Sequence, residues 1–209
     1  MKLPLYRFKV NIKEGAITKV ISIVKNPAMQ SSYLKFNEEL VKQTFALEEE
    51  KRVLIGAAAI PNKQIFRNGQ KGQSDYFGFF ADEDIENMVL AFSKNGYHNN
   101  MNLEHNSKAV AGAFIFQSWL LDFKKGITAP HGLEDLPDNT WMIGVKVEDE
   151  KLWSEIKNDK TFTGFSLEGL FQLEDTNESV EVKYSIEKSN KEILKSLLAE
   201  YIKDQKFKN

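Results

Sequence analysis

The sequence predicts an α+β fold with a mostly antiparallel β-barrel core flanked by helices. Short segments rich in β-branched and aromatic residues recur along most of the chain, whereas only two or three segments have helical periodicity. Glycine and proline turn signals separate the β segments, as in barrels built from antiparallel strands. The 209 residues, 42% of them hydrophobic, suffice for one core, which we expect to span residues 1–187.

The N-terminal third is predicted to form two β-hairpins. The first joins residues 5–13 and 16–24 around a Glu-Gly turn, and the second joins residues 33–47 and 52–60 around a charged tip. Both pairs alternate β-rich sequence with turn-forming residues, so neighbouring strands are expected to pair with each other.

A helix is predicted to begin at Asp82 and to end near Lys94. Its apolar residues Ile85, Met88 and Phe92 recur at helical spacing and therefore share one face. Asp82 has a side chain suited to capping the first turn, and an Asn-Gly pair follows the helix as a stop signal.

The second half of the chain is predicted to be the densest β region. Strands are expected at 109–122, 140–147 and 161–173, with a short helix at 149–157 between the last two. The final segment, 188–209, has an apolar stripe at helical spacing and a lysine-rich end, which predicts a C-terminal amphipathic helix outside the β domain.

Composition excludes several classes of function. Lys and Arg total 28 against 30 Asp and Glu, so the net charge of −2 gives no basic surface for nucleic acid or an anionic membrane. The absence of cysteine excludes a thiol nucleophile and a cysteine zinc site. With no apolar run of membrane-spanning length and no signal segment, we expect a soluble cytoplasmic protein that needs no cofactor.

Only three histidines are present, which narrows the search for a general base. His98 and His131 lie in polar segments rich in turn formers, where solvent-exposed side chains are expected. His105 instead follows a short extended apolar segment and precedes the longest β segment. It is therefore the best candidate, although a structural histidine bonded to a backbone carbonyl fits the pattern equally well.

Ser166 is the corresponding candidate nucleophile. It lies between Gly164 and Gly169, and flanking glycines allow a substrate backbone to approach a short side chain closely. Glu168 occupies the position of the second glycine in the G-x-S-x-G motif, so an α/β-hydrolase is disfavoured. A neutral serine needs a neighbouring base, and His105 is the economical partner.

Two other classes of function remain open from these residues. His98, Glu104 and His105 are close in sequence and offer metal-binding atoms, but their spacing does not match H-E-x-x-H, so a metal hydrolase is the weaker hypothesis. A structural protein without catalysis is the stronger alternative, because the apolar stripe of the C-terminal helix could bind a partner as well as pack on the domain.

Several motifs together resemble one protein family. They are IPNKQIFR at 60–67, NLEHN at 102–106, the pair Ser118-Trp119, TWMIGVKV at 140–147, Trp153, and GFSLEGLF at 164–171. In this order they resemble the phage serine protease family XkdF over most of residues 16–173. That family is related to prohead proteases, which share the assemblin-like β-barrel of herpesvirus capsid maturation proteases. The resemblance implies that His105 is the base and Ser166 the nucleophile.

The third catalytic residue is not fixed by the resemblance. Related prohead proteases carry an acidic residue after the serine strand in a segment like E-V-S-L-V-x-x-P-A, which here corresponds to residues 20–28 and has Val20 at the acidic position. This N-terminal location implies a circularly permuted chain. Either the enzyme uses a Ser/His dyad, or another carboxylate orients the imidazole. Glu168, on the face of Ser166 in an extended strand, and Asp122, at a strand end, are the candidates.

The resemblance also implies partners and a location. Prohead proteases cleave scaffold and major capsid protein precursors inside the procapsid, so these proteins are the expected substrates and the bacterial host cytoplasm is the expected compartment. Herpesvirus relatives add the hypothesis of a homodimer.

Overall fold

A computed structural model of the chain describes residues 2–25, 27, 45–48, 51–69, 72–159 and 161–182. The C-terminal helix predicted at 188–209 and most of the first strand of the second hairpin lie outside the described residues. Within them, no helix is long and apolar enough to cross a membrane.

The fold is mixed α+β and consists mostly of strands, as predicted. The strands are β1 Lys2–Lys9, β2 Thr18–Val24, β3 Phe45–Glu48, β4 Val53–Ala59, β5 Ile65–Arg67, β6 Tyr76–Phe79, β7 Met101–Leu103, β8 Ala113–Leu120, β9 Trp141–Val147, β10 Gly164–Gly169 and β11 Gln172–Glu181. The α-helices in this part of the chain are α1 Asp82–Lys94 and α2 Glu150–Asn158.

The described strands form three open sheets and no closed barrel, which corrects the predicted barrel core. Their orders are β11-β1-β6-β5, β10-β2-β7 and β3-β4-β9-β8. Most neighbours are antiparallel, but β1 with β6 and β2 with β7 are parallel. β10 lies alongside β4 but forms its hydrogen-bonded ladder with β2, so the sheets β10-β2-β7 and β3-β4-β9-β8 remain separate.

The first predicted hairpin is wrong in its pairing, although both strands exist. Only an isolated bridge, between Asn11 and Ala16, joins the two segments. β1 pairs with β11 and β6, and β2 pairs with β10 and β7, so the strands enter different sheets. β1 forms a ladder of eight residue pairs with β11, and β2 forms one of six pairs with β10, so sequence proximity did not decide the pairing.

Other local predictions agree with the structure, with two adjustments. β3 and β4 form the antiparallel hairpin that the charged tip predicted, and α1, β9 and α2 lie where expected. The N-cap of α1 is Ala81 and Asp82 is the first helical residue, because the Asp84 side chain accepts from the Ala81 N–H at 3.2 Å. The strand predicted at 161–173 is divided into β10 and β11, which belong to different sheets.

The core fixes one face of the sheet that carries the candidate residues. Ile21, Ile23, Met101 and Phe165 alternate along β2, β7 and β10 and are buried in the main hydrophobic cluster. α1 contributes the predicted Ile85, Met88 and Phe92 to the same cluster. Because successive side chains in a strand point to opposite faces, the residues between these apolar positions share the other face.

Candidate active site

A row of polar side chains crosses the sheet β10-β2-β7 on the face away from Ile21 and Ile23. Ser166 of β10 is the ladder partner of Ser22 in β2, and Ser22 is the partner of Asn102 in β7. Directly opposed residues share a face of a sheet. Glu168 lies two residues after Ser166 and therefore lies on this face as well.

Glu168 is the centre of a hydrogen-bond network on this face. Its Oε1 accepts hydrogen bonds from Ser22 Oγ, from Asn102 Nδ2 at 2.7 Å and from His105 Nδ1 at 3.0 Å. Partial burial alone would raise the pKa of Glu168, but the hydrogen bonds from Ser22, Asn102 and His105 outweigh it, and the pKa is lowered. The carboxylate is therefore ionised at neutral pH and holds the imidazole in place.

His105 is positioned by a tight turn immediately after β7. Glu104 and His105 have φ angles of 50° and 57°, a left-handed conformation that is uncommon for residues other than glycine and asparagine. The turn is held against the end of β2, because Glu104 accepts a hydrogen bond from the Lys25 N–H and donates its own N–H to the Ile23 carbonyl at 3.1 Å. Such strained backbone is typical of functional sites.

The hydrogen bonds of the His105 ring determine its chemistry. Nδ1 donates to Glu168 and lies 3.2 Å from Ser22 Oγ, which can accept a share of the same N–H. Among the described residues, the ring hydrogen bonds use Nδ1 only. A proton held on Nδ1 leaves the Nε2 lone pair free to act as a base. The side chain is 47% exposed, so a substrate can reach it.

Ser166 is 5% exposed and borders a shallow depression with an empty volume of about 280 Å³, open to solvent. The other residues that line the depression are Ala58, Ile65, Arg67, Phe80, Phe165, Leu167 and Phe171. In the described part of the chain, no hydrogen bond joins Ser166 Oγ to the His105 ring. In unliganded enzymes, hydrogen bonds between catalytic groups are often long or poorly aligned, so the lack of this bond is compatible with catalytic roles for the two residues.

A protein-family model described as "Putative phage serine protease XkdF" matches residues 41–175 of the 209-residue chain. The chain belongs to this XkdF family. The matched region contains Asn102, His105, Ser166 and Glu168, whereas Ser22 lies before it. No curated protein and no solved structure matches the chain.

Asp122, the other candidate carboxylate, is not brought to His105 in this XkdF-family chain. Its side chain accepts from the Lys125 N–H at 3.1 Å and forms an ion pair with Lys125 Nζ, which caps the short helix at 123–125. The hydrogen bond from the Lys125 side chain lowers the pKa of Asp122. Asp122 therefore stabilises a turn, and Glu168 is the carboxylate that contacts the imidazole.

The remaining histidines have separate local environments. The His98 ring packs against Phe92 at 5.5 Å, and the Nδ1 of exposed His131 lies 2.7 Å from Glu134. Within the described residues, no group of three His, Asp or Glu side chains is arranged to hold a metal ion. His98, Glu104 and His105 do not converge, because their side chains contact different elements.

Two residues of the network were missed by sequence reasoning. Ser22 and Asn102 are 0% and 5% exposed, and both donate to Glu168. Ser22 is the single polar residue in the apolar run VISIV, and Asn102 follows a buried methionine. A polar residue in a buried strand needs a hydrogen-bond partner, and that requirement was the signal that could have identified them.

Proposed function

We propose that the chain is a serine endopeptidase that matures phage proheads, with Ser166 as nucleophile, His105 as general base and Glu168 as the carboxylate that orients the base. The observation that carries this proposal is the 3.0 Å contact between His105 Nδ1 and Glu168 Oε1 on the sheet face that also bears Ser166. This contact leaves Nε2 to accept the serine proton.

The reaction proceeds through an acyl-enzyme. Ser166 Oγ attacks the scissile carbonyl carbon while its proton passes to His105 Nε2. The C–N bond then breaks, and the same proton is transferred to the leaving amine. Water attacks the resulting ester with His105 again as base, which releases the acid product and restores the Ser166 hydroxyl. Glu168 stabilises the imidazolium that forms in each half of the reaction.

Strand register supports Glu168 as the third member. Val20, which occupies the acidic position of the related prohead proteases, is the direct ladder partner of Glu168. The carboxylate of Glu168 thus projects from the same sheet face as the Val20 side chain, one strand away. The antiparallel pairing of β2 with β10 also supports the proposed circular permutation, because the N-terminal segment lies beside the serine strand.

Scaffold and major capsid protein precursors are the proposed substrates, and the procapsid in the bacterial host cytoplasm is the proposed site of action. Membership of a phage serine protease family supports this choice. We also retain the homodimer as a proposal, which sedimentation at increasing protein concentration tests.

A fluorophosphonate probe with mass-spectrometric mapping tests the nucleophile. The probe should label Ser166 and not its neighbour Ser22, which is fully buried and donates its hydroxyl proton to Glu168. Ser166→Ala should abolish both labelling and cleavage of co-expressed scaffold. Ser179→Ala, which changes an exposed serine of β11, is the matched control and should behave as wild type.

Two outcomes would contradict the proposal. Labelling at Ser22 would place the nucleophile on β2 and contradict its assignment to Ser166 of β10. If the wild-type protein remains unlabelled during capsid assembly, and if Ser166→Ala supports assembly as well as wild type does, the protein is instead a structural component of the head.

A further inference from the structure

Arg67 borders the same depression as Ser166. It is the last residue of β5 and lies on the same strand face as Ile65, which also lines the depression. The other lining side chains are apolar apart from Ser166. Of the residues that the structure describes, Arg67 is therefore the one charged residue that lines this mainly apolar depression, which meets β10 at Phe165, Ser166 and Leu167.

The guanidinium of Arg67 has no carboxylate partner among the described residues. It stacks over the Phe8 ring at 5.8 Å, and Nη1 donates to the Phe66 carbonyl at 3.3 Å. Burial lowers the pKa of Arg67, although an arginine stays charged at neutral pH. The other two arginines of the chain both have acidic partners: Arg7 contacts Asp84, and Arg52 contacts Glu150.

A partly buried cation without an anion is costly, and a ligand that brings a carboxylate would offset that cost. The planar guanidinium presents paired donors that match a carboxylate, so it favours this group over a neutral amide. Apolar walls with one charged group are typical of pockets that select a single chemical class of side chain.

We propose that Arg67 makes this depression a carboxylate-binding subsite, so that the enzyme prefers substrates with an acidic residue next to the scissile bond. This inference rests on the proposed function, because it places the subsite beside Ser166. A carboxylate can also come from the C-terminus of a cleaved product, and the experiments separate these two sources.

The first experiment measures cleavage. Wild type is profiled on peptides from a digested bacterial proteome, and the best sequence is then made with either Glu or Gln at the selected position. The Glu peptide should have a kcat/KM roughly 10- to 100-fold higher. Arg67→Met should bring the Glu/Gln ratio close to one, and Arg67→Lys should retain part of it. Arg52→Met, which changes an arginine outside the depression, should keep the wild-type ratio.

A uniform loss of activity in Arg67→Met, with the Glu/Gln ratio unchanged, would overturn the proposal. It would assign Arg67 to transition-state stabilisation or to structure. Thermal unfolding of Arg67→Met and Arg67→Lys checks that both variants are folded.

The second experiment measures binding without catalysis. Ser166→Ala is titrated by calorimetry with a blocked tripeptide amide ending in Glu, with its Gln counterpart, and with the Gln peptide as a free acid. Tighter binding of the Glu amide, lost in Ser166→Ala/Arg67→Met, supports recognition of an acidic side chain. Tighter binding of the free acid alone would show product recognition and overturn the proposed substrate preference. Equal binding of all three peptides would refute the subsite.

The two experiments together separate the subsite from the proposed function. If wild type cleaves no peptide yet the Glu amide still binds through Arg67, the proposed protease function fails and the subsite stands.

Discussion

At the scale of single residues, the proposed catalysis requires an ionised Glu168 beside His105. Glu168→Gln keeps the size of the side chain but places an amide where the carboxylate accepts the Nδ1 proton. The imidazole then loses the partner that fixes its tautomer and stabilises its charged form. We expect kcat to fall by roughly 10³-fold with a much smaller change in KM, measured on a fluorogenic peptide substrate.

Glu178→Gln is the matched control, because Glu178 is an exposed carboxylate of β11. It should retain wild-type kcat. A Glu168→Gln enzyme with more than half of the wild-type kcat would mean that Ser166 and His105 act as a dyad.

Ser22 is expected to act on the ionisation of Glu168. Burial raises the pKa of Glu168, and the hydrogen bond from Ser22 is the first of the contacts that lower it. Ser22→Ala should therefore raise the pKa of Glu168, measured by carbon NMR of the carboxyl group during a pH titration. Asn102→Ala should also raise the pKa of Glu168, since Asn102 donates to the same oxygen. An unchanged Glu168 pKa in both variants would contradict this network.

The lowered pKa of Glu168 also determines how the stability of the folded chain depends on pH. A carboxyl whose pKa is lower in the folded chain stabilises it above the pKa of the unfolded chain, about 4.3 for glutamate, and this contribution is lost as pH falls through the lower folded value. The difference in unfolding free energy between wild type and Ser22→Ala should therefore be largest near neutral pH and should shrink in acid. If the difference in unfolding free energy between wild type and Ser22→Ala grows below pH 4, the predicted pH dependence is wrong.

Residue chemistry alone could predict part of this site. With no cysteine and three histidines, sequence reasoning reached Ser166 and His105 as candidates, and strand alternation suggested Glu168. It could not choose between Glu168 and Asp122, because that choice depends on strand pairing that joins residues far apart in sequence. Ser22 and Asn102 were missed for the same reason.

At the scale of elements, the end of β10 must pass very close to β2. A Cβ built on Gly169 would lie 2.4 Å from the Ile17 carbonyl oxygen and 2.9 Å from Thr18 Cα. The clash is with backbone, so β10 would have to move away from the strand that carries Ser22. Gly169→Ala should therefore destabilise the fold by about 1–3 kcal/mol in urea unfolding and lower kcat by displacing neighbouring Glu168.

The next residue provides the control. Leu170 is 73% exposed, and Leu170→Ala should change the unfolding free energy far less than Gly169→Ala. Equal stability of Gly169→Ala and wild type would show that the two strands can separate without cost.

Elements were predicted better than their partners. Periodicity located α1 and β9 because each is set by its own residues. The pairing of β1 and β2 was mispredicted because turn chemistry suggests a hairpin, whereas the preferred partners of both strands lie at the other end of the chain. A barrel could not be distinguished from three open sheets by strand count alone.

At the scale of the whole molecule, Arg7 connects the sheet of β1 to α1 through ion pairs with the buried Asp84 and the exposed Glu83. Asp84, with its side chain 2% exposed, accepts from Arg7 Nε at 2.6 Å and from the Val10 N–H at 3.1 Å. The hydrogen bond that Arg7 donates to Asp84 is also the main reason that the pKa of Arg7 is raised. α1 packs against β2, so this junction supports the strand that bears Ser22.

Removal of the buried partner should destabilise the whole fold. Asp84→Ala leaves the Arg7 cation and the Val10 N–H without their buried acceptor, and we expect a loss of about 3–5 kcal/mol in the free energy of urea unfolding. Glu83→Ala is the matched control, because Glu83 contacts the same arginine from an exposed position and should matter little. If Asp84→Ala and Glu83→Ala lower the unfolding free energy equally, surface charge stabilises the contact between α1 and the β1 sheet. If only Asp84→Ala is destabilised, burial of the acceptor is what holds α1 to the β1 sheet.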